Sequence, residues 1–222
     1  MTTQPYMIQV DLKGKRCLVV GGGGIGLHKT AALLASEAKV TVVSTSFRES
    51  FDSMTLDARH ERSFHDADID GMFLVHAATN RPELNHHIAR LCEQEGVWCC
   101  VADDASKGTF GTPALLDRGP VRIAVSTQGL SPSYGARLRR QFAEQIPEHV
   151  EEYLRFLGEI REKSKSSIDD LQLRMRFNAY LASEEGERLF ESSDAEALEI
   201  MVAELLKNPD TIPEHFTPRW EG

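Results

Sequence analysis

Lys15-Arg16-Cys17-Leu18-Val19-Val20-Gly21-Gly22-Gly23-Gly24-Ile25-Gly26 is the stretch that decides the fold. Cys17 to Val20 is apolar at every position, the pattern of a strand covered on both faces in a parallel sheet. Four glycines end the run. From Ile25 to Ala38 the residues Ile25, Lys29, Ala32, Leu33 and Ser36 recur at helical spacing, and Ala31, Ala32 and Ala35 predict a thin face able to lie close to a sheet. Lys39-Val40-Thr41-Val42-Val43-Ser44 then predicts a second strand, which closes a β-α-β unit within about 30 residues. Gly21-x-Gly23-x-x-Gly26 therefore stands where a strand turns into a helix. In that context each glycine does something different. The first permits the turn, the second admits a pyrophosphate to the backbone, and the third lets helix and strand touch, while free helix N–H groups face the anion. No Gly-Lys-Ser/Thr follows, because Leu27-His28-Lys29 occupies those positions, so a nucleoside-triphosphate loop is excluded.

Outward from this unit, Arg59 to Phe64 predicts a weaker strand and Met72 to Thr79 a buried one. Pro82 opens a helix over 83–95, and Val97 to Ala102 is a further strand. Strands and helices alternating at this interval imply an α/β, Rossmann-like, doubly wound parallel sheet, with its ligand beyond the carboxyl ends of the strands. The pattern changes after Asp104. Phe110 to Leu116 and Val121 to Thr127 are extended runs joined by Asp117-Arg118-Gly119-Pro120, too short for a parallel crossover and suited to a hairpin. Ser131 is placed to cap a helix that starts at Pro132 and runs to about Ile146. Apolar residues at spacings of three and four, such as Val150, Tyr153, Leu154 and Leu157, predict helices near 148–163, 167–183 and 194–207. The expected organisation is a dinucleotide-binding domain over 1–108, a hairpin-helix dimerisation and substrate segment over 109–146, and a small all-helical domain with a tail over 147–222.

The 222 residues are 41% hydrophobic and 27% charged, which excludes a disordered chain. No apolar run approaches the ~20 residues of a membrane span, and Met1 to Arg16 has no secretory h-region, so a cytoplasmic protein without membrane contact is expected. Cys17, Cys92, Cys99 and Cys100 have no C-x-x-C spacing and read as buried thiols; Cys99 and Cys100 should face opposite sides of one strand. His76, His86 and His87 make no helical H-x-x-x-H pair, and no metal site is predicted. The net charge of −9 is uneven: residues 1–143 are nearly neutral, and residues 144–222 carry the acidity. That acidity argues against nucleic acid, whose binding rests on phosphate attraction. Between Lys107 and Arg140, by contrast, Lys107, Arg118, Arg122, Arg137, Arg139 and Arg140 face a single acid, Asp117. Such a window suits a small polyanion, or is simply a solvated helix face.

The acid that commonly ends the second strand of such units to hold the ribose hydroxyls is missing, since Val43 leads into Ser44-Thr45-Ser46. Hydroxyls must substitute, or Arg48 meets a 2′-phosphate, so these residues leave NAD and NADP both open. None of Tyr6, Tyr134, Tyr153 and Tyr180 has a lysine four residues later, which excludes short-chain dehydrogenase chemistry.

Several ordered motifs carry a resemblance. They are Asp11-Leu12-Lys13-Gly14-Lys15, Val20-Gly21-Gly22-Gly23 with Lys29, Ala77-Ala78-Thr79 with Asn85, Val101-Ala102-Asp103, Pro113-Ala114, and Ala124-Val125-Ser126-Thr127-Gln128-Gly129-Leu130-Ser131-Pro132. Over residues 5 to about 160 the chain resembles the precorrin-2 dehydrogenases and sirohydrochlorin ferrochelatases that form the N-terminal module of siroheme synthases. The resemblance implies oxidation of precorrin-2 to sirohydrochlorin with NAD as hydride acceptor, in some members Fe(II) insertion as well, and a homodimer with its active cleft between the dinucleotide domain and the hairpin-helix segment. It puts the catalytic aspartate on Asp103, where a carboxylate at a strand's carboxyl end would accept the proton released with the hydride. On the residues alone, Asp103 or Asp104 merely capping the next loop is the favoured reading. The cofactor set is Gly21, Gly22, Gly23, Gly24, Ile25, Ser44, Thr45, Ser46, Ala78 and Thr79. The substrate carries eight carboxylates, and Ser126, Thr127, Arg137 and Arg139 are the residues expected to hold it, the arginines as bidentate forks. Cys100 stands where the family usually has asparagine, Ala105 where it has proline, and Gly26 where it has alanine. Two further readings are a dinucleotide-sensing module without catalysis and a chelatase without dehydrogenase activity.

Overall fold

The computed structural model describes residues 5–218. The outer ends of the first and last expected domains, 1–4 and 219–222, lie outside the described residues. The glycine stretch sits at the centre of a sheet built from β1 (Arg16–Gly22), β2 (Lys39–Phe47), β3 (Ala58–Glu61), β4 (Leu74–Ala77) and β5 (Trp98–Val101). Their order is β3-β2-β1-β4-β5, and all four pairings are parallel. This is the Rossmann-like arrangement expected from the sequence, and its strand order reverses between β1 and β4, where such sheets open a crevice.

Alternation along β1 explains why the strand is apolar throughout. Leu18 and Val20 point into one core with Val43, Val75, Ile88 and Cys92; Cys17 and Val19 point into another with Leu33, Val40, Val42 and Phe51. The first core is closed by α2 (Pro82–Gln94) and the second by α1 (Gly24–Ala35). Helices therefore cover both faces. The four cysteines are buried free thiols, and burial pushes Cys17 up to about 11. The outer edge of β5 is covered by the returning chain: the Thr109 amide donates to the Cys99 carbonyl at 2.8 Å, and its hydroxyl accepts from the Cys99 amide.

Three expectations are corrected here. The inward face of α1 is Gly26, Thr30 and Leu33, whereas Ala31, Ala32 and Ala35 are exposed. The helix is rotated from the expected face because the contact between Gly26 and the β1 turn fixes it. The first extended run after Asp104 begins at Ala114, since Phe110 is drawn into the α1-side core instead. The third correction is a helix absent from the expected set, α6 (Glu184–Ser192), described below.

β6 (Ala114–Arg118) and β7 (Val121–Val125) form the expected two-stranded sheet around Gly119 and Pro120. α3 (Pro132–Ala143) follows, with the Ser131 hydroxyl accepting from the Tyr134 amide as an N-cap. α4 (Val150–Ser167), α5 (Leu171–Leu181) and α7 (Ala195–Lys207) enclose a separate core of Ile160, Ile168, Phe177, Leu181, Val202 and Ile212, and α6 sets Phe190 against Tyr153 and Phe156 of α4. The chain divides into two compact units, Met1–Ala114 with Ser126–Gly135, and Leu115–Val125 with Ala136–Gly222.

Candidate functional site

The glycines of the turn from β1 into α1 fall into two kinds of environment. Gly21 has φ +127°, and a Cβ on it would overlap the Ala78 carbonyl, so only glycine lets the chain leaving β1 touch the chain leaving β4. A Cβ on Gly22 would overlap the Ser46 carbonyl, and one on Gly26 the Gly21 carbonyl. Gly23 differs from these. Its φ of −82° and ψ of −171° suit any residue, and a Cβ there would meet nothing within 4 Å. The protein's own packing does not require glycine at 23. The space above it is open, which leaves room for the close approach of a phosphate. Gly23 also stands at the N-cap of the 12-residue α1, where no side chain caps the helix and no acid occupies the first turn. Its leading N–H groups and the dipole are left for an anion. Ile25, in that first turn, is 56% exposed.

The end of β2 carries a bulge. Val20 pairs with Val43, but Gly22 pairs with Phe47, so Ser44 to Ser46 arch out of the ladder. The Ser44 hydroxyl accepts from the Gly22 amide at 2.9 Å and donates to the Ser46 carbonyl at 2.7 Å, which ties the arch to the glycine turn. Thr45 and Ser46 are exposed on it.

A second network joins β4 to β5. Asn85, fully buried in α2, accepts from the Thr79 amide at 3.1 Å and the Thr79 hydroxyl at 2.7 Å, and donates to the Thr79 carbonyl at 3.1 Å and to Asp103 Oδ1 at 2.6 Å. Its amide is saturated, which locks the exposed Asp103 carboxylate to the residues that follow β4. The two adjacent acids differ in what they bind. Asp104 accepts from the Ser106 hydroxyl and amide, which hold its carboxyl below the usual range, and it caps the 3₁₀ turn Ala105–Lys107. Asp103 has no part in that cap. In the sequence Asn85 is no more than a marker of the resemblance; its saturated geometry identifies it as the residue that positions Asp103, and a buried asparagine in the first turn of a helix is too common a pattern to say so.

Ser126 and Thr127 lie in the same unit as Asp103 and are engaged locally: the Ser126 hydroxyl accepts from the Gln128 amide and that of Thr127 from the Ser131 amide, both at 3.2 Å. Gln128 and Gly129 turn through φ +53° and +81°, and a Cβ on Gly129 would stand 3.9 Å from that of Ala105. Arg137 and Arg139 fall in the second unit. The cationic window is not one free surface: Arg118 donates to the Ile146 carbonyl at 2.7 Å, and Arg122 pairs with Asp117 at 3.3 Å.

Residues 8–114 match the protein family NAD_binding_7, described as "Putative NAD(P)-binding". The chain is similar to siroheme synthase of Thioalkalivibrio sulfidiphilus, at 36% identity over 175 residues, covering 78% of this chain and 36% of that protein. Siroheme synthase 1 of Aeromonas hydrophila is 30% identical over 202 residues, covering 90% and 44%, and siroheme synthase of Tolumonas auensis 31% over 201 residues, covering 90% and 43%. The chain thus spans roughly two fifths of the length of these relatives. Among solved structures, "SirC, precorrin-2 dehydrogenase" superposes with a TM-score of 0.70 at 20% identity, covering 91% of this chain and 99% of that one, a likeness of fold. The resemblance read from short motifs is borne out by these alignments. No helix among the described residues is long and apolar enough to cross a membrane.

Proposed function

We propose that the chain is a precorrin-2 dehydrogenase that oxidises precorrin-2 to sirohydrochlorin with a nicotinamide dinucleotide. The observation that carries this reading is the Asp103 carboxylate, exposed at the carboxyl end of β5 and fastened by buried Asn85 to the residues that follow β4, next to a glycine turn whose second glycine is kept clear for no internal reason. Similarity to siroheme synthases and to the fold of SirC supports it.

The dinucleotide, when bound, supplies a hydride acceptor. The protein's residues do the rest. Gly21 to Ile25 and the α1 N-terminus hold the pyrophosphate, and Thr45 and Ser46 with Ala78 and Thr79 flank the nucleotide, while Ser44 braces the turn. Dehydrogenation removes a hydride and a proton from the macrocycle; Asp103 takes the proton, and the Asn85 amide holds that carboxylate in place. Ser126, Thr127, Arg137 and Arg139 serve the substrate's carboxylates. The reading extends to Fe(II) insertion with Asp103 accepting the pyrrole protons, to a homodimer, for which the two-stranded β6–β7 sheet with its exposed Leu115 offers a surface, and to a cytoplasmic protein.

The test is the absorption spectrum of precorrin-2 mixed with purified protein. Conversion to sirohydrochlorin is expected only when dinucleotide is added. The Asp103→Asn protein should bind dinucleotide as before and fail to convert the substrate. A spectrum unchanged with either NAD or NADP overturns the reading in favour of a sensor, and iron insertion without dehydrogenation would identify a chelatase alone.

A further inference from the structure

α6 lends no side chain to the core that α4, α5 and α7 enclose. Its buried residue is Gly186, set against the Leu181 carbonyl, and its ring contact is Phe190, 5.2 Å from the ring of Tyr153 and 5.3 Å from that of Phe156. The polar tie across to α4 is His149, which stands at the N-cap of that helix. Its Nε2 lies 3.1 Å from Glu187 Oε1 and its Nδ1 3.3 Å from Glu191 Oε1, so one imidazole meets two carboxylates a helical turn apart on α6. The side chain is 24% exposed, beside the rings of Tyr153 and Phe190. α6 carries Glu184, Glu185, Glu187 and Glu191 against Arg188, and Arg188 pairs with Glu184. Among the described residues no lysine or arginine forms an ion pair with Glu187 or Glu191. The neighbours of His149 in sequence add acids only, Glu148, Glu151 and Glu152, of which Glu151 pairs with Arg155.

A neutral imidazole has one N–H and one lone pair, so only the imidazolium presents a proton to both carboxylates. Once that proton is gone, a lone pair faces a carboxylate at ion-pair distance. The two glutamates, at i and i+4 on one helix, are then left to repel each other. Burial, and then the Glu187 charge, push the Tyr153 phenol up to about 12, so it stays neutral over about pH 5–8, where histidine changes charge. We infer that α6 is a pH-released latch: charged His149 clasps it to α4 through Glu187 and Glu191, and loss of that charge lets the helix open and uncover the rings of Tyr153 and Phe156. The clasp is complete on the acid side of the histidine range and is lost as the pH rises through it. All of its parts lie within the second unit, so the latch is independent of the dinucleotide reading.

The experiment is amide hydrogen exchange of the full chain from about pH 5.5 to about pH 8.5, each rate divided by the intrinsic rate at that pH. Protection over 184–192 should fall about three- to tenfold as the pH rises, while that of α5 and α7 holds within about twofold. His149→Phe keeps a ring beside Tyr153 and Phe190 and should hold α6 at its high-pH protection throughout. Glu187→Gln combined with Glu191→Gln removes both charges without shortening either side chain and should flatten the profile in the same way. Protection of α6 that is independent of pH in the unaltered protein overturns the latch, as does a fall that survives either set of substitutions. A fall shared equally by α5 and α7 also overturns it, because the whole helical unit would then be loosening as one body.

Discussion

Gly23 and Gly26 belong to one motif, yet the structure separates what each is for, and the separation can be measured. Gly23→Ala places a methyl in open space at an ordinary φ, so stability should stay within about 0.5 kcal/mol while dinucleotide affinity falls at least about tenfold. Gly26→Ala drives a methyl into the Gly21 carbonyl and should cost about 1–3 kcal/mol, visible in urea unfolding without any ligand. A Gly23→Ala protein that binds normally would deny that open space its purpose. Asn85 offers the second test at this scale. Asn85→Asp keeps acceptors for the Thr79 amide and hydroxyl but sets a carboxylate 2.6 Å from Asp103 Oδ1 in place of a donor. Two carboxylates at that distance cannot both ionise near neutrality, so one proton is held more tightly. The acid limb of the turnover profile should move up by about one pH unit or more, an effect that a loss of packing alone would not produce. The motif's glycines were legible because turn sterics leave a trace in spacing, whereas Asp103 was named by the resemblance and not by its spacing. Asn85 was not legible, since its meaning lies in four hydrogen bonds to groups six and eighteen residues away.

Among the elements, β4 carries a burden that its sequence conceals. His76 lies at the centre of the sheet opposite Val19 and Cys100, 4% exposed, edge-on to Phe110, and its Nδ1 has no partner. Burial, and then the Lys29 charge, push the imidazole down to about 3. The unfolded chain takes up that proton near pH 6.5, so the stability tied to neutral His76 is fully present above about pH 6.5 and is lost as the pH falls toward 3, by up to ~1.4 kcal/mol per unit. The urea midpoint should drop between about pH 6 and pH 4, and His76→Leu should flatten that drop by close to one proton. An unchanged slope would mean that the imidazole finds water or a partner on protonation. The same scale shows where sequence reading stops. The five parallel strands were visible because strands buried on both faces are apolar at every position. The inward face of α1 was not, because one backbone contact at Gly26 sets the helix rotation and outweighs an alanine-rich stripe that is free to face solvent. α6 escaped because its start, Glu184-Glu185-Gly186-Glu187, has one residue of helix-breaking character among acids; Ser183 nevertheless caps it through the Gly186 amide, and a Cβ at 186 would overlap the Leu181 carbonyl.

For the whole molecule the decisive fact is that two units have separate cores and neither is a continuous stretch of chain. The first borrows Ser126–Gly135 and the second borrows Leu115–Val125, so a cut anywhere near residue 108 removes from the first unit the turn that carries Ser126 and Thr127. Linkage then gives a test that needs no truncation. A ligand stabilises only what it binds, by RT ln(1 + [L]/Kd), or about 2.7 kcal/mol at a hundredfold excess over Kd. Dinucleotide at that level should raise the unfolding transition of the glycine-turn unit and leave the helical unit where it was, resolving two transitions in calorimetry. Phe177→Ala, which empties a fully buried position in the helical core, should act on the other transition and lower it by about 3–5 kcal/mol while nucleotide affinity holds within about twofold. If ligand and core substitution instead moved one common transition together, the two cores would be melting as a single cooperative body, and the three chain crossings at 114–115, 125–126 and 135–136 would be the covalent reason for it.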